Sequence, residues 1–227
     1  MSETSTGEEQ PPIDTVVLDV DGTLVDSVYQ HVAAWQGAFH DVGLQVSAAD
    51  VHRAIGLGSD RMVSHLAGDS AERAVGDDVR QAHDARFMSL LPHVRELPGV
   101  TPLLEWLAQH HALVVATSGG AEMTEALLAL VEARGLLRDV VSGSEVEQSK
   151  PAPDLIDAAM QRVESVRAVV LGDSVWDAQP AKARGLPCIA LRCGGTDEAV
   201  LREAGASWVY ADPQDLYDRR ADSPLQV

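Results

Sequence analysis

Asp19 and Asp21, separated by one valine in "VVLDVDGTLVDS" (16–27), are the first residues of this chain whose types and spacing raise a question of chemistry. The apolar run before them reads as a buried strand, 15–20. Side chains on a strand alternate with a period of two, so both carboxylates emerge on one side. Two negative charges that close resist ionising together. Either the pair is the Asp-Gly corner of a hairpin, or the folded protein has a use for the crowding. Three further groups favour a use: Thr117 and Ser118 after "ALVVA", Ser149-Lys150-Pro151, and Asp173 with Asp177 in "GDSVWD". Singly these are ordinary turn and helix-cap residues. Together, in chain order, they bring carboxylates, hydroxyls and an ammonium to successive strand ends.

The elements that must position them alternate along the chain. "ALVVAT" (112–117), "DVV" (139–141), "AVVLGD" (168–173), "PCIAL" (187–191) and "SWVY" (207–210) read as strands. Between them lie a helix at about 121–134, with Met123, Leu127, Leu130 and Val131 at helical spacing and a stop at Gly135, and a helix in "PDLIDAAMQRV". Another ends at Gly185, and a short one falls near 197–204. This alternation predicts an α/β fold, a Rossmann-like parallel sheet covered on both faces. In such sheets the ligand crevice lies outside the carboxyl ends of the strands. Residues 13–25 and 95–212 are assigned to this catalytic core.

Residues 26–94 interrupt the pattern. They hold six of the eight histidines, no convincing strand, and Val32, Trp35 and Phe39 on one helical face. They are expected to form an inserted helical cap domain, after which "LPGV" (97–100) restarts the core with a helix carrying Val100, Leu103, Leu104 and Leu107. Residues 1–12 read as a disordered tail, and 213–227 as a frayed C-terminal tail.

Composition narrows the partners. A formal net charge of -18 over 227 residues argues against binding nucleic acid or an anionic membrane through a general basic surface. It leaves room for a small anion in a locally positive pocket. No apolar run reaches the roughly 18 residues needed to span a membrane, and the acidic start is no secretory signal. The cytoplasm is the expected location, with a monomer favoured. Among 17 basic residues only Lys150 and Lys182 are lysines, which makes Lys150 conspicuous. Cys188 and Cys193 lack zinc-site spacing and are expected to be free thiols.

With "DVDGT" (19–23), "VVATS" (114–118), "SKPAPD" (149–154) and "LGDSVWD" (171–177) in this order, the chain resembles the haloacid dehalogenase superfamily. The likeness is to its phosphatase branch with a helical cap, the phosphoglycolate phosphatase and β-phosphoglucomutase-like members. It implies a magnesium-dependent phosphatase acting on a small phosphorylated metabolite. By that resemblance Asp19 attacks the phosphoryl group and forms an aspartyl-phosphate, while Asp21 protonates the leaving alkoxide and then activates water. Magnesium, a hard oxygen-seeking ion, is assigned to Asp19, Asp173 and the backbone carbonyl of Asp21, with Asp177 nearby or bound through water. Lys150 supplies positive charge to the nucleophile and phosphoryl oxygens, and Thr117 hydrogen-bonds the latter. A halide leaves without a proton, so Asp21 favours phosphoryl transfer over dehalogenation.

Less specific candidates are Ser118, Gly119, His31 and Arg61 at the substrate. His31 and Trp35 sit one turn apart, where the plainer expectation is a core tryptophan beside a partly buried histidine. "IGLGSDR" (55–61) is a glycine-rich cap loop in which Arg61 or Arg53 could add positive charge. Asp26 and Ser27 are expected to cap the first cap helix, and Asp177 could be a first-turn helix acid. The alternative is a β-phosphoglucomutase-type sugar phosphomutase. Against it stand Ser59 where a mutase arginine would align, Gly119-Gly120 after the second motif, and Gly172 where such mutases tend to carry Glu.

Overall fold

The computed structural model describes residues 12–146 and 148–225. The described residues form six strands: β1 (Thr15–Leu18), β2 (Ala112–Ala116), β3 (Asp139–Val141), β4 (Ala168–Gly172), β5 (Cys188–Leu191) and β6 (Trp208–Tyr210). All pair in parallel, in the order β3-β2-β1-β4-β5-β6. The order reverses beside β1, so the crevice of this sheet opens at the ends of β1, β2 and β4. Period-two alternation sorts the strand residues onto two faces. Val16, Leu18, Leu113, Val115, Val169 and Leu171 enter one apolar cluster, and Val17, Val114, Ala116, Val170 and Ala190 enter the other. Both faces are therefore dry, which is why these strands read as unbroken apolar runs.

The helices of the core are α5 (Val100–Leu107), α6 (Ala121–Leu128), α7 (Asp154–Arg162), α8 (Val175–Ala183), α9 (Glu198–Ala204) and α10 (Pro213–Asp218). The inserted segment folds as α1 (Val28–Asp41), α2 (Ala48–Ala54), α3 (Ser59–Ala67) and α4 (Asp69–Leu90). It has its own apolar centre of Val28, Val32, Trp35, Phe39, Val51, Met62, Val63 and Val79. Its two connections to the core run side by side, with the Asp26 amide on the Arg95 carbonyl at 2.9 Å and the Leu97 amide on the Leu24 carbonyl at 3.0 Å.

Three expectations need correction. Strand β1 stops at Leu18 rather than at residue 20. Beyond it the amides of Thr23, Leu24 and Val25 all turn onto the Val20 carbonyl, with Gly22 at φ 76°. The helix expected over 121–134 ends at Leu128, and a 3-10 turn takes over at Glu132–Leu136. That turn is fixed from outside, by the Glu96 carboxylate accepting the Glu132 amide at 2.8 Å. The C-terminal segment is not frayed over its described part. Helix α10 buries Leu216, and Leu225 is buried with its carbonyl 3.1 Å from Nε2 of His111, whose Nδ1 lies 3.1 Å from the Ile13 carbonyl. The expected disordered tail lies outside the described residues, apart from Pro12. Cys188 and Cys193 are free. No helix among the described residues is long and apolar enough to cross a membrane.

Candidate active site

The ends of β1 and β4 meet a lysine from the loop before α7. Asp19 still pairs with the sheet, its amide on the Leu171 carbonyl at 2.9 Å. Its carboxylate accepts from Lys150 Nζ at 2.5 Å, and the same ammonium reaches Asp177 Oδ1 at 2.6 Å. Asp177 also accepts from the Ser174 amide at 3.1 Å and hydroxyl at 2.7 Å, so it caps α8 and binds Lys150 at once. Asp173, at the end of β4, accepts from Thr23 Oγ1 at 3.3 Å. Glycine is required at two neighbouring points. A Cβ on Gly22 would collide with the Asp173 carboxylate, and one on Gly172 with that of Asp177.

Oxygens of Asp19, Asp173 and Asp177 all lie within 4.8 Å of one another, and all three residues are buried. Among the described residues Lys150 is the one cation hydrogen-bonded to this group. Burial, reinforced by the neighbouring carboxylates and opposed by Lys150, pushes the Asp19 carboxyl up to about 7. The same causes raise that of Asp173 well above the usual range. Burial alone would lower the Lys150 pKa, but Asp177 and Asp19 outweigh it and raise it. The cluster therefore holds more buried negative charge than one ammonium offsets. A hard divalent cation fits that donor set.

Asp21 belongs to different surroundings. Its Oδ1 accepts from Ser27 Oγ at 2.5 Å and lies 3.0 Å from His31 Nε2. Ser27, expected as a helix cap, spends its hydroxyl here and makes no side-chain cap bond. Beyond His31 the chain of contacts continues: His31 Nδ1 to His83 Nε2 at 3.0 Å, and His83 Nδ1 to Asp84 Oδ1 at 2.9 Å. With Asp84 ionised, His83 carries its proton on Nδ1 and accepts at Nε2. His31 then donates from Nδ1, and one proton is shared between His31 Nε2 and Asp21. Burial alone would raise the Asp21 carboxyl, but the His31 charge and the His31 and Ser27 hydrogen bonds hold it below the usual range. The pair Asp19/Asp21 thus differs in surroundings more than a shared strand face implies, because the loop after Leu18 sends one to Lys150 and the other to the cap.

His83 is only 4% exposed. Burial, opposed by Asp84, lowers its pKa to about 4 from the ordinary 6.5. The unfolded chain takes up a proton below pH 6.5 that the folded protein refuses until about pH 4. This residue therefore removes stability as pH falls through that window. His83→Gln is expected to flatten the decline of unfolding free energy between those two pH values, by roughly 1–3 kcal/mol, as read by denaturant titration at several pH values.

Above these groups lies a cavity of about 510 Å³ between core and cap, reached by Asp19, Asp21, His31, Thr117, Ser118 and Gly119. Thr117 Oγ1 accepts the Gly119 amide at 3.1 Å. The Ser118 hydroxyl is engaged at the cavity wall, donating to the Gly56 carbonyl of the cap at 3.0 Å. Arg61 does not reach the cavity. It pairs with Asp60 at 3.9 Å and donates to Gln148 at 3.3 Å. Arg53 is held by exposed Asp50. Further contacts latch cap to core: Trp176 Nε1 to the Arg53 carbonyl at 2.9 Å, His52 Nε2 to the Gly194 carbonyl at 2.9 Å, and Ser149 Oγ to Asp60 at 2.5 Å. Each such bond is worth about 0.5–1.5 kcal/mol net, so the latch is one that thermal motion can release. No sequence motif marks His83 or Asp84. The available signal was the helical face of α4, on which Val79, His83 and Phe87 recur every four residues.

A buried carboxylate cluster at the switch point of a parallel sheet, roofed by an inserted helical segment, marks a Rossmann-like α/β protein with a cap. The chain belongs to the haloacid dehalogenase-like hydrolases, whose family model matches residues 16–191. It is 30% identical over 210 residues to phosphoglycolate phosphatase 1 of Pseudomonas aeruginosa, covering 88% of this chain and 77% of that one. It is 28% identical over 186 residues to a fructose-1-phosphate phosphatase of Escherichia coli, covering 78% of this chain and 95% of the relative. A hydrolase from Pseudomonas syringae superposes with a TM-score of 0.84 at 31% identity, covering 92% of this chain and 98% of that one.

Proposed function

We propose that the protein is a magnesium-dependent phosphatase that hydrolyses a small phosphorylated metabolite through an aspartyl-phosphate on Asp19. The observation that carries this reading is the division of labour between two carboxylates two residues apart. Asp19 is bound by Lys150 in the buried cluster, and Asp21 is bound by Ser27 and His31 on the cavity side. The named activities of the two curated relatives, both phosphomonoesterases, support the reaction class.

In this mechanism an Asp19 oxygen forms a bond to phosphorus as the bond from phosphorus to the leaving oxygen breaks. The proton shared by Asp21 and His31 passes to that oxygen, so the product leaves as a neutral alcohol. A water then attacks the aspartyl-phosphate and gives its proton to Asp21, which restores both residues and releases phosphate. Lys150 orients Asp19, and Thr117 with the backbone after it holds the phosphoryl oxygens. Magnesium, held by Asp19, Asp173 and the Asp21 carbonyl with Asp177 behind them, would neutralise charge on those oxygens.

The mutase alternative is disfavoured at Gly172, where a Glu side chain would displace Asp177 from Lys150. Ser59 at the cavity also offers no charge for a second phosphate. The test is phosphate release from a panel of phosphomonoesters with magnesium and with a chelator. Borohydride quenching during turnover accompanies it, since it reduces an acyl phosphate at Asp19 to homoserine, detectable by peptide mass spectrometry. Magnesium-dependent release with homoserine at position 19 is expected. Release without any trapped residue overturns the covalent step. Conversion of a sugar 1-phosphate to its 6-phosphate without net release favours the mutase.

A further inference from the structure

We infer that the alcohol half of the substrate carries no second anion and presents an apolar face to the cavity. This deepens the phosphatase reading and rests on it. The cavity beyond Asp19 and Asp21 is walled by Trp35, Ile55, Leu57, Met62, Met88 and Met123. Among the described residues that line it there is no arginine and no lysine. Its remaining charges are negative, from Asp84 and Glu122, both exposed at their tips.

The nearby cations are engaged elsewhere. Arg61 is drawn to Asp60 and Gln148, Arg53 to Asp50, Arg80 to Glu72 and Asp77, and Arg86 to Asp41. Lys150 lies beneath the site, spent on Asp19 and Asp177. Two histidines line the cavity: His31 is engaged by Asp21 at 3.0 Å and by His83 at 3.0 Å, and His83 is neutral near pH 7 because burial lowers its pKa to about 4. A carboxylate or second phosphate on the alcohol would shed its hydration against apolar side chains and find no counter-charge. An uncharged alcohol escapes that charge penalty, and its carbon surface gains from burial. A site discriminates most strongly when the wrong ligand leaves a buried polar group unpaired.

Phenyl phosphate and 4-carboxyphenyl phosphate isolate the single charge. We expect kcat/KM for the carboxylated ester to be about 10- to 100-fold lower, with 2-phosphoglycolate as poor. Dissociation constants for the same two esters, measured with magnesium on Asp19→Asn protein, should differ in the same direction. Glu122→Lys, which puts a cation at the mouth, should narrow the ratio by about tenfold. Equal or better use or binding of the carboxylated ester overturns the inference while leaving the phosphatase intact. Absence of turnover on every ester refutes the phosphatase reading instead, and the ratio of dissociation constants still decides the question of charge.

Discussion

Asp19→Asn is expected to abolish phosphate release, by at least about ten-thousandfold in kcat, in a protein that folds as well as the wild type. The amide keeps the size of the carboxylate but cannot attack phosphorus. Stability should not suffer, because Asp19 is a costly charge in the absence of a metal: burial and its carboxylate neighbours bring its pKa to about 7. An acid whose folded pKa lies above its unfolded value destabilises the folded state above the unfolded value, and the penalty vanishes below it. Removing the charge removes that penalty near neutral pH, and Lys150 keeps Asp177 as a partner. Phosphate release together with thermal unfolding in chelator checks both halves. A large fall in melting temperature would show that Asp19 holds the fold rather than the chemistry.

Lys150→Met should have the opposite signature. The methionine fills the space of the lysine stem but leaves Asp19 and Asp177 buried without their hydrogen-bonded cation, beside the equally buried Asp173. Breaking a buried ion pair from one side costs about 3–5 kcal/mol, which for a domain of this size lowers the melting temperature by roughly 6–20 °C. The raised pKa of Lys150 makes its stabilisation complete below the ordinary lysine value of 10.5. It therefore does not vary across neutral pH. Asp19 and Asp173 do vary: burial already raises their folded pKa values and Lys150 opposes the rise, so its loss lifts them further and acidification relieves the variant. The deficit measured in chelator should shrink between pH 8 and 5, and magnesium should restore part of it at pH 8. A deficit independent of both pH and magnesium would mean that lost packing, not charge, is the cause.

Much of this site was legible because chemistry and local structure coincide in short stretches. Asp19, Thr117 and Asp173 follow apolar strands, and β3 matches its sequence signal residue for residue. Burial on both faces made those strands visible as unbroken apolar runs. What stayed hidden depends on distance along the chain. His31 and His83 touch across 52 residues, and no local pattern says which face of α4 will look down on Asp21. The early end of α6 depends on Glu96, which is remote in sequence from Glu132. Helix α10 and Leu225 read as a polar tail because their apolar residues are few, yet Leu216 is buried and Leu225 is tied through His111 to Ile13 ahead of β1. The expectation that Arg61 faces substrate failed because a guanidinium among carboxylates and amides follows its nearest partners, here Asp60 and Gln148.

The latch between cap and core carries an implication for how this protein can change. Three of its bonds end on main-chain carbonyls, those of Arg53, Gly56 and Gly194. A carbonyl is supplied by any residue, so the accepting half of the fastening is written in the backbone path rather than in side-chain identity. Inherited substitutions at Ile55 or Leu57 can therefore redraw the wall of the cavity without unfastening the roof. Selection for a new metabolite could act on that loop one residue at a time, with the donors Ser118, His52 and Trp176 left in place.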